Sequence, residues 1–193
     1  MTTKCFNEGF TLIEVLVTFI LIAIGLLGLA ALQVSTINTG FEAHQRALVT
    51  ALVDDMAERV RMNPIDAFEN YQSFDTGVSC STLENADDPL SPEDRAANDR
   101  CHWAAVLRGL SVKVNEADAR GLGAPLGAMG CLETDKRANG ETVVRVAVAW
   151  QGLTAQVAPY APCGAGLFTN ADAVNPSVDE AFRRVLYRDV VVR

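Results

Sequence analysis

From Phe10 to Leu32 nearly every position is apolar: Glu14 is the only charged side chain, and Thr11 and Thr18 supply the only hydroxyls. Those 23 residues would span about 35 Å as a helix, enough to cross a bilayer core. Beyond Leu32 no helix breaker intervenes, but the pattern becomes periodic. Val34, Ile37, Phe41, Leu48, Leu52, Met56 and Val60 recur at mostly three-, four- or seven-residue intervals, which predicts one apolar face. Gln33, Asn38, Glu42, Gln45, Arg46, Asp54 and Glu58 supply polar positions around it. Asp55 and Arg59 are spaced to pair at i, i+4. Asn63-Pro64 is a stop, with Arg59 and Arg61 placed towards the last carbonyls. One helix from about Phe10 to Met62 follows, roughly 80 Å long. Only its first half suits a membrane, so the second half must bury its stripe against a domain built from the rest of the chain.

That domain has its own punctuation. Residues 67–99 are rich in Asn, Asp, Ser and Pro, and Pro89 and Pro92 argue against long regular structure there. Ser91-Pro92-Glu93-Asp94 has the form of a helix start, with serine capping and proline in the first turn. The helix is expected to run to about Arg108 and stop at Gly109. The glycine-rich residues 121–130 lack the Gly-Lys-Ser/Thr of a phosphate loop and serve better as the entry to a strand. Asn139-Gly140 predicts a hairpin turn. After it, Val144, Val146, Val148 and Trp150 alternate with Val143, Arg145, Ala147 and Ala149, a strand from about Glu141 to Gln151. A partner strand is expected near Leu126–Thr134, and Arg184–Val192 is a third β-rich run. The expected class is α+β: a long N-terminal helix on a small antiparallel sheet.

Composition narrows the chemistry. With 16 Lys+Arg against 24 Asp+Glu, the net charge of −8 opposes a nucleic-acid partner, because a phosphate backbone would be repelled. His44 and His102 are the only histidines, and neither has a catalytic sequence context. The five cysteines lack paired C-x-x-C units, and Asp87, Asp88, Glu93 and Asp94 lack a calcium-loop pattern. No enzyme activity, metal or cofactor is expected.

The start of the chain carries the most specific signal. An ordinary secretory signal places its apolar core before the cleavage site. Here the polar Met1–Gly9, MTTKCFNEG, precedes the apolar run. The string Gly9-Phe10-Thr11-Leu12-Ile13-Glu14-Val15 with that run resembles the N-terminus of type IV prepilins. The resemblance implies cleavage after Gly9 by a membrane-embedded prepilin peptidase and methylation of the new Phe10 amine. It also implies a cytoplasmic N-terminus, which Lys4 supports only weakly through the positive-inside rule. Glu14 would be the fifth mature residue, pairing with the Phe10 amine of a neighbouring subunit; an acid in hydrocarbon is costly and usually marks function. Gly25 and Gly28 would ease local loss of helical order. Ile-Gly-Leu-Leu-Gly-Leu-Ala at 24–30, Gln33, and the run from Asp55 to Pro64 narrow the resemblance to PilV-like minor pilins, over the N-terminal third of the chain.

The implied organisation is a cleaved leader (1–9), a transmembrane and filament-core half-helix (10–32), an amphipathic half-helix (33–62) and a periplasmic or surface domain (63–193). Removing the leader takes Cys5 with it and leaves Cys80, Cys101, Cys131 and Cys163. In an oxidising compartment these favour two disulfides out of three possible connectivities, with sequence neighbours Cys80–Cys101 and Cys131–Cys163 preferred. The implied partners are other minor pilins, the major pilin, prepilin peptidase, an inner-membrane assembly platform and the membrane itself. The implied role is to help initiate or prime assembly of a type IV pilus, in a tip complex; the alternative is a pseudopilin of a type II secretion system, which shares the same N-terminal chemistry. The segment Gly152–Val178, which a Cys131–Cys163 bond would restrain, is where the resemblance places a filament-specific contact, and deletion of Ala165–Asn175 within it is expected to impair partner binding or surface presentation.

Overall fold

The computed structural model describes residues 9–63, 71, 74–75, 92–109, 123–168 and 180–192. Helix α1 runs unbroken from Leu12 to Met62. The chain divides into two compact units, Met1–Phe41 and Glu42–Arg193. Among the described residues of the first unit the helix is the only regular element, and its apolar side chains are exposed from Leu12 to Ile37. It is the one helix among the described residues long and apolar enough to cross a membrane. Apart from its chain neighbours and the adjacent helix backbone, no described atom would come within 4 Å of a Cβ added at Gly25 or Gly28, so neither glycine makes room for another described part of the chain.

In the second unit the rest of α1 lies in the core of an α+β domain. A four-stranded antiparallel sheet has the order β1-β2-β3-β4, with β1 at Phe74–Asp75, β2 at Met129–Lys136, β3 at Thr142–Gln151 and β4 at Arg183–Val192. Helix α2, Pro92–Leu107, follows β1 in the chain, and a 3₁₀ turn at Glu180–Phe182 leads into β4. Gly109, just past α2, takes the left-handed φ of 72° that suits a helix C-terminus. The β2–β3 hairpin closes at Asn139-Gly140 as expected. Gly140 has φ 85°, Arg137 N donates to Glu141 O at 2.8 Å, and the Asn139 side chain accepts from Glu141 N at 3.1 Å. Period-two alternation sends Val144, Val146, Val148 and Trp150 of β3 into the main core with Leu132, Val190 and Val192. Val49, Val53, Met56, Ala57 and Val60 meet them from α1, and Ala96, Trp103, Ala104 and Leu107 from α2.

The structure corrects three local expectations. The buried face of α1 is Gln45, Val49, Val53, Met56, Ala57 and Val60, while Leu48 and Leu52 sit on its flank. Gln45, expected among the polar positions, is buried because its Oε1 accepts Leu126 N at 3.0 Å. That contact belongs to a turn around Leu126 and Gly127 (φ 61°), which moves the start of β2 to Met129. Arg59 does form the expected bond to Asp55 (2.9 Å), but it also reaches Asp99 on α2 (3.1 Å), and Arg61 pairs with Glu58. These carboxylates, rather than the last carbonyls of α1, engage the two guanidinium groups. Arg59 instead bridges the helices, beside a buried Tyr71 whose hydroxyl donates to Asp99 at 3.1 Å.

Candidate processing and assembly segment

The N-terminal segment is built around Thr11. Its backbone carbonyl accepts Glu14 N (3.1 Å) and Val15 N (3.3 Å), and its hydroxyl oxygen also lies 3.4 Å from Glu14 N. Thr11 therefore caps α1 and satisfies donors that the first turn of a helix leaves without partners. Thr11-Leu12-Ile13-Glu14 has the Ser/Thr-x-x-Glu spacing of a capping box, a signal in the sequence that accounts for Thr11 and that hydrophobic periodicity alone does not register. Glu14 sits in the first turn, where a carboxylate also complements the positive end of the helix dipole. Among the described residues no ion pair reaches its carboxylate. Gly9 and Phe10 precede the helix and are exposed, Phe10 at 87%. Gly9, Phe10 and Glu14 thus lie close together along the chain at the start of α1, and all three are exposed. Thr18, the other polar side chain of the run, returns its hydroxyl to Val15 O at 2.8 Å, so it brings no unsatisfied donor into the apolar segment.

Residues 6–30 match the prokaryotic N-terminal methylation motif. This is the signal of type IV pilin-like and pseudopilin precursors, which prepilin peptidase processes. No curated protein and no solved structure matches the chain. The motif points to a structural rather than a catalytic protein that assembles with other pilin-type subunits, and with the long apolar helix it fits anchoring in the inner membrane.

The described cysteines, Cys101, Cys131 and Cys163, lie in the second unit. Cys131 on β2 and Cys163 form a disulfide, S–S 2.02 Å and Cα–Cα 5.8 Å. Cys101 on α2 is also disulfide-bonded, while Cys80 and hence the expected Cys80–Cys101 pairing lie outside the described residues. So do Asp87 and Asp88 and part of the Ala165–Asn175 segment. His102 Nδ1 lies 3.3 Å from Arg59 Nη2 at the edge of the Arg59–Asp99 bridge, whereas His44 is exposed on α1. Among the described residues no three His, Cys, Asp or Glu side chains are grouped to hold a metal.

The disulfide belongs to a second structured feature that periodicity does not reveal. Gly152–Phe168 crosses the face of the sheet opposite α1, where Cys163 and Phe168 pack with Ala147, Ala149, Cys131 and Val185. Arg183, only 4% exposed, clamps it: Nη1 donates to Ala161 O (2.6 Å) and Cys163 O (2.8 Å), Nη2 to Pro159 O (3.0 Å), and Nε to Glu180. At the near end the Glu42 carboxylate accepts Leu153 N and Thr154 N (both 3.0 Å) and the Thr154 hydroxyl (2.8 Å). The Thr154 hydroxyl is the main reason that the Glu42 carboxyl titrates below its ordinary value, with Thr154 N, Arg184 and Leu153 N adding to it against the cost of burial. Glu180 is likewise held low, by Gly166 N and Arg183 prevailing over desolvation.

Proposed function

We propose that the chain is a minor pilin of the PilV kind. Prepilin peptidase cuts after Gly9, the Phe10 amine is methylated, and the protein waits in the inner membrane with its N-terminus cytoplasmic and its domain periplasmic. It is then drawn into a type IV pilus, where with other minor pilins and the major pilin it helps initiate or prime assembly, at the tip. The observation that carries this reading is the methylation motif at residues 6–30, whose apolar run forms the start of the 51-residue α1.

Glu14 has the central role in this reading. A carboxylate in the hydrocarbon costs about 2.5–3.5 kcal/mol on insertion scales. Pairing with the Phe10 amine of an adjacent subunit offsets that cost and fixes the axial register between helices. Exposure of the whole Phe10–Leu32 surface in the single chain supports a destination first in lipid and then among other helices. The test is to place Glu14→Ala beside the wild type in cells. Processing should persist while entry into filaments falls sharply; normal entry would refute the register role. A pseudopilin of a type II secretion system is the second reading, favoured by the same motif. Deletion of the gene separates them: loss of twitching motility with secretion intact supports the pilus, and the reverse supports secretion.

A further inference from the structure

The disulfide ties Gly152–Phe168 to the sheet through Cys163, yet the anchors on either side of that residue involve no sulfur. Gly152 N donates to Phe182 O and Gln156 N to Ala181 O, both at 2.8 Å. Glu42 holds Leu153 and Thr154, and Glu180 accepts Gly166 N at 2.7 Å. Gly164, at a left-handed φ of 69°, seats against β3 with no room for a side chain. A Cβ added there would lie 2.7 Å from Ala149 Cβ and 2.8 Å from Phe168 Cε2. Arg183 is the centre of this arrangement. Its buried guanidinium reaches the carbonyls of Pro159, Ala161 and Cys163, while Glu180 balances its charge. Charge-assisted bonds are the strong class, and the planar arginine fork serves acceptors spread from Pro159 to Cys163 that a lysine point charge would not span.

We propose that Arg183 docks this segment before its sulfur bond exists and so selects Cys131 as the partner of Cys163, the disulfide being a lock closed on a site already built. One of the carbonyls that Arg183 holds, at 2.8 Å, belongs to Cys163 itself, so the clamp fixes the backbone that carries the thiol. The docked segment lies over the sheet face that presents Cys131, with the two Cα atoms 5.8 Å apart in the bonded form. Cys101 is kept from that place by the sheet. It lies on α2, which packs on the other face, over Gly130. Docking thus raises the effective concentration of one thiol at the other. The bond then forms by exchange. One thiolate attacks the disulfide of an oxidant, the second displaces the sulfur so attached, and two electrons and two protons leave with the oxidant as its two thiols. In the chain-entropy model the finished bond acts mainly on the unfolded chain, so the docked form does not require it. The order of events is the same in a pilus subunit and in a secretion pseudopilin.

Two variants of the full chain in detergent provide the test. In Cys131→Ser/Cys163→Ser the amides of Gly152, Gln156 and Gly166 are expected to stay protected from hydrogen exchange, because their acceptors, Phe182 O, Ala181 O and the Glu180 carboxylate, are untouched. Free exchange at these amides would overturn the proposal, since the sulfur bond would then be what holds the segment. Arg183→Lys keeps a charge beside Glu180 but loses the fork. Reduced, unfolded chain is diluted into oxidised glutathione, and the disulfides are mapped over time on unreduced peptides. The wild type is expected to finish with Cys163 bonded to Cys131. In Arg183→Lys that bond should form about tenfold or more slowly, for want of the charge-assisted hydrogen bonds, and bonds from Cys163 to Cys80 or Cys101 should appear. An unchanged rate with unchanged pairing would overturn the proposal as well. Protected amides at Val144 and Val146 of β3 establish that the lysine variant folds; where it does not, the serine variant alone decides.

Discussion

Helix α2 approaches β2 over a residue with no side chain, and Gly130→Ala tests that packing. A Cβ at position 130 would lie 2.4 Å from Trp103 Cζ3, 2.6 Å from Trp103 Cη2 and 2.6 Å from Leu107 Cδ1. Ordinary carbon contacts are about 3.5–4.0 Å, so α2 or the indole must yield by about 1 Å. Trp103 cannot swing away freely, because it is fully buried and its Nε1 donates to Leu52 O at 2.9 Å. Overpacking of this kind costs about 1–3 kcal/mol. With a urea slope of about 2 kcal/mol/M the unfolding midpoint should fall by about 0.5–1.5 M. The two tryptophans, Trp103 and Trp150, are both buried, so their fluorescence follows the transition in the detergent-solubilised full chain. Trp103→Phe removes the two clashing indole atoms but leaves Leu107. In that background Gly130→Ala should therefore cost less, with a coupling of about 1 kcal/mol or more. A neutral Gly130→Ala, or costs that simply add, would show that α2 is not seated on Gly130.

Further perturbations probe other parts of the domain. Cys131→Ser opens a loop with a sequence separation of 32 and should cost about 3–4 kcal/mol in the chain-entropy model, read as a fall in urea midpoint that reductant does not deepen by the same amount in the variant. Burial pushes the Tyr71 phenol up to about 12 from 10.0, so its contribution to stability is complete below pH 10 and is lost as pH rises towards 12. Tyr71→Phe should cost about 1–2 kcal/mol at neutral pH and remove that part of the alkaline loss; an unchanged alkaline profile would count against it. Glu42 has a lowered folded value, so it stabilises above its ordinary carboxyl value of 4.5, and this contribution disappears as pH falls through the folded value. Glu42→Gln should flatten that acid limb and raise amide exchange at Leu153 and Thr154, whose N–H groups it accepts.

Much of this architecture is legible in the sequence because it rests on local pattern. An apolar run, a 3.6-residue stripe ending at Asn63, a proline-led helix and an Asn-Gly turn between alternating valines each specify their element. The misses arise where distant residues decide. Gln45 looks solvated until Leu126 N is placed against it, while Leu48 and Leu52 are half-buried at the flank of the buried face, with Leu52 still packed on the core. Arg59 satisfies its local i, i+4 pairing, yet Asp99, forty residues on, makes it a bridge between helices. Arg183 begins a strand, and nothing in its neighbourhood shows that its guanidinium turns back to three carbonyls 20 to 24 residues earlier, with Glu180 alone close in sequence. The processing segment was legible by motif, but the capping role of Thr11 needed the helix start to be located at Leu12.

The most direct test of the central claim is the intact mass and N-terminal sequence of the protein recovered from cell membranes and filaments. The account predicts a chain that begins at Phe10, carries one added methyl on its amine and retains the apolar run. A chain that begins at Met1, or one cut beyond Leu32 so that the apolar run is lost, would contradict it.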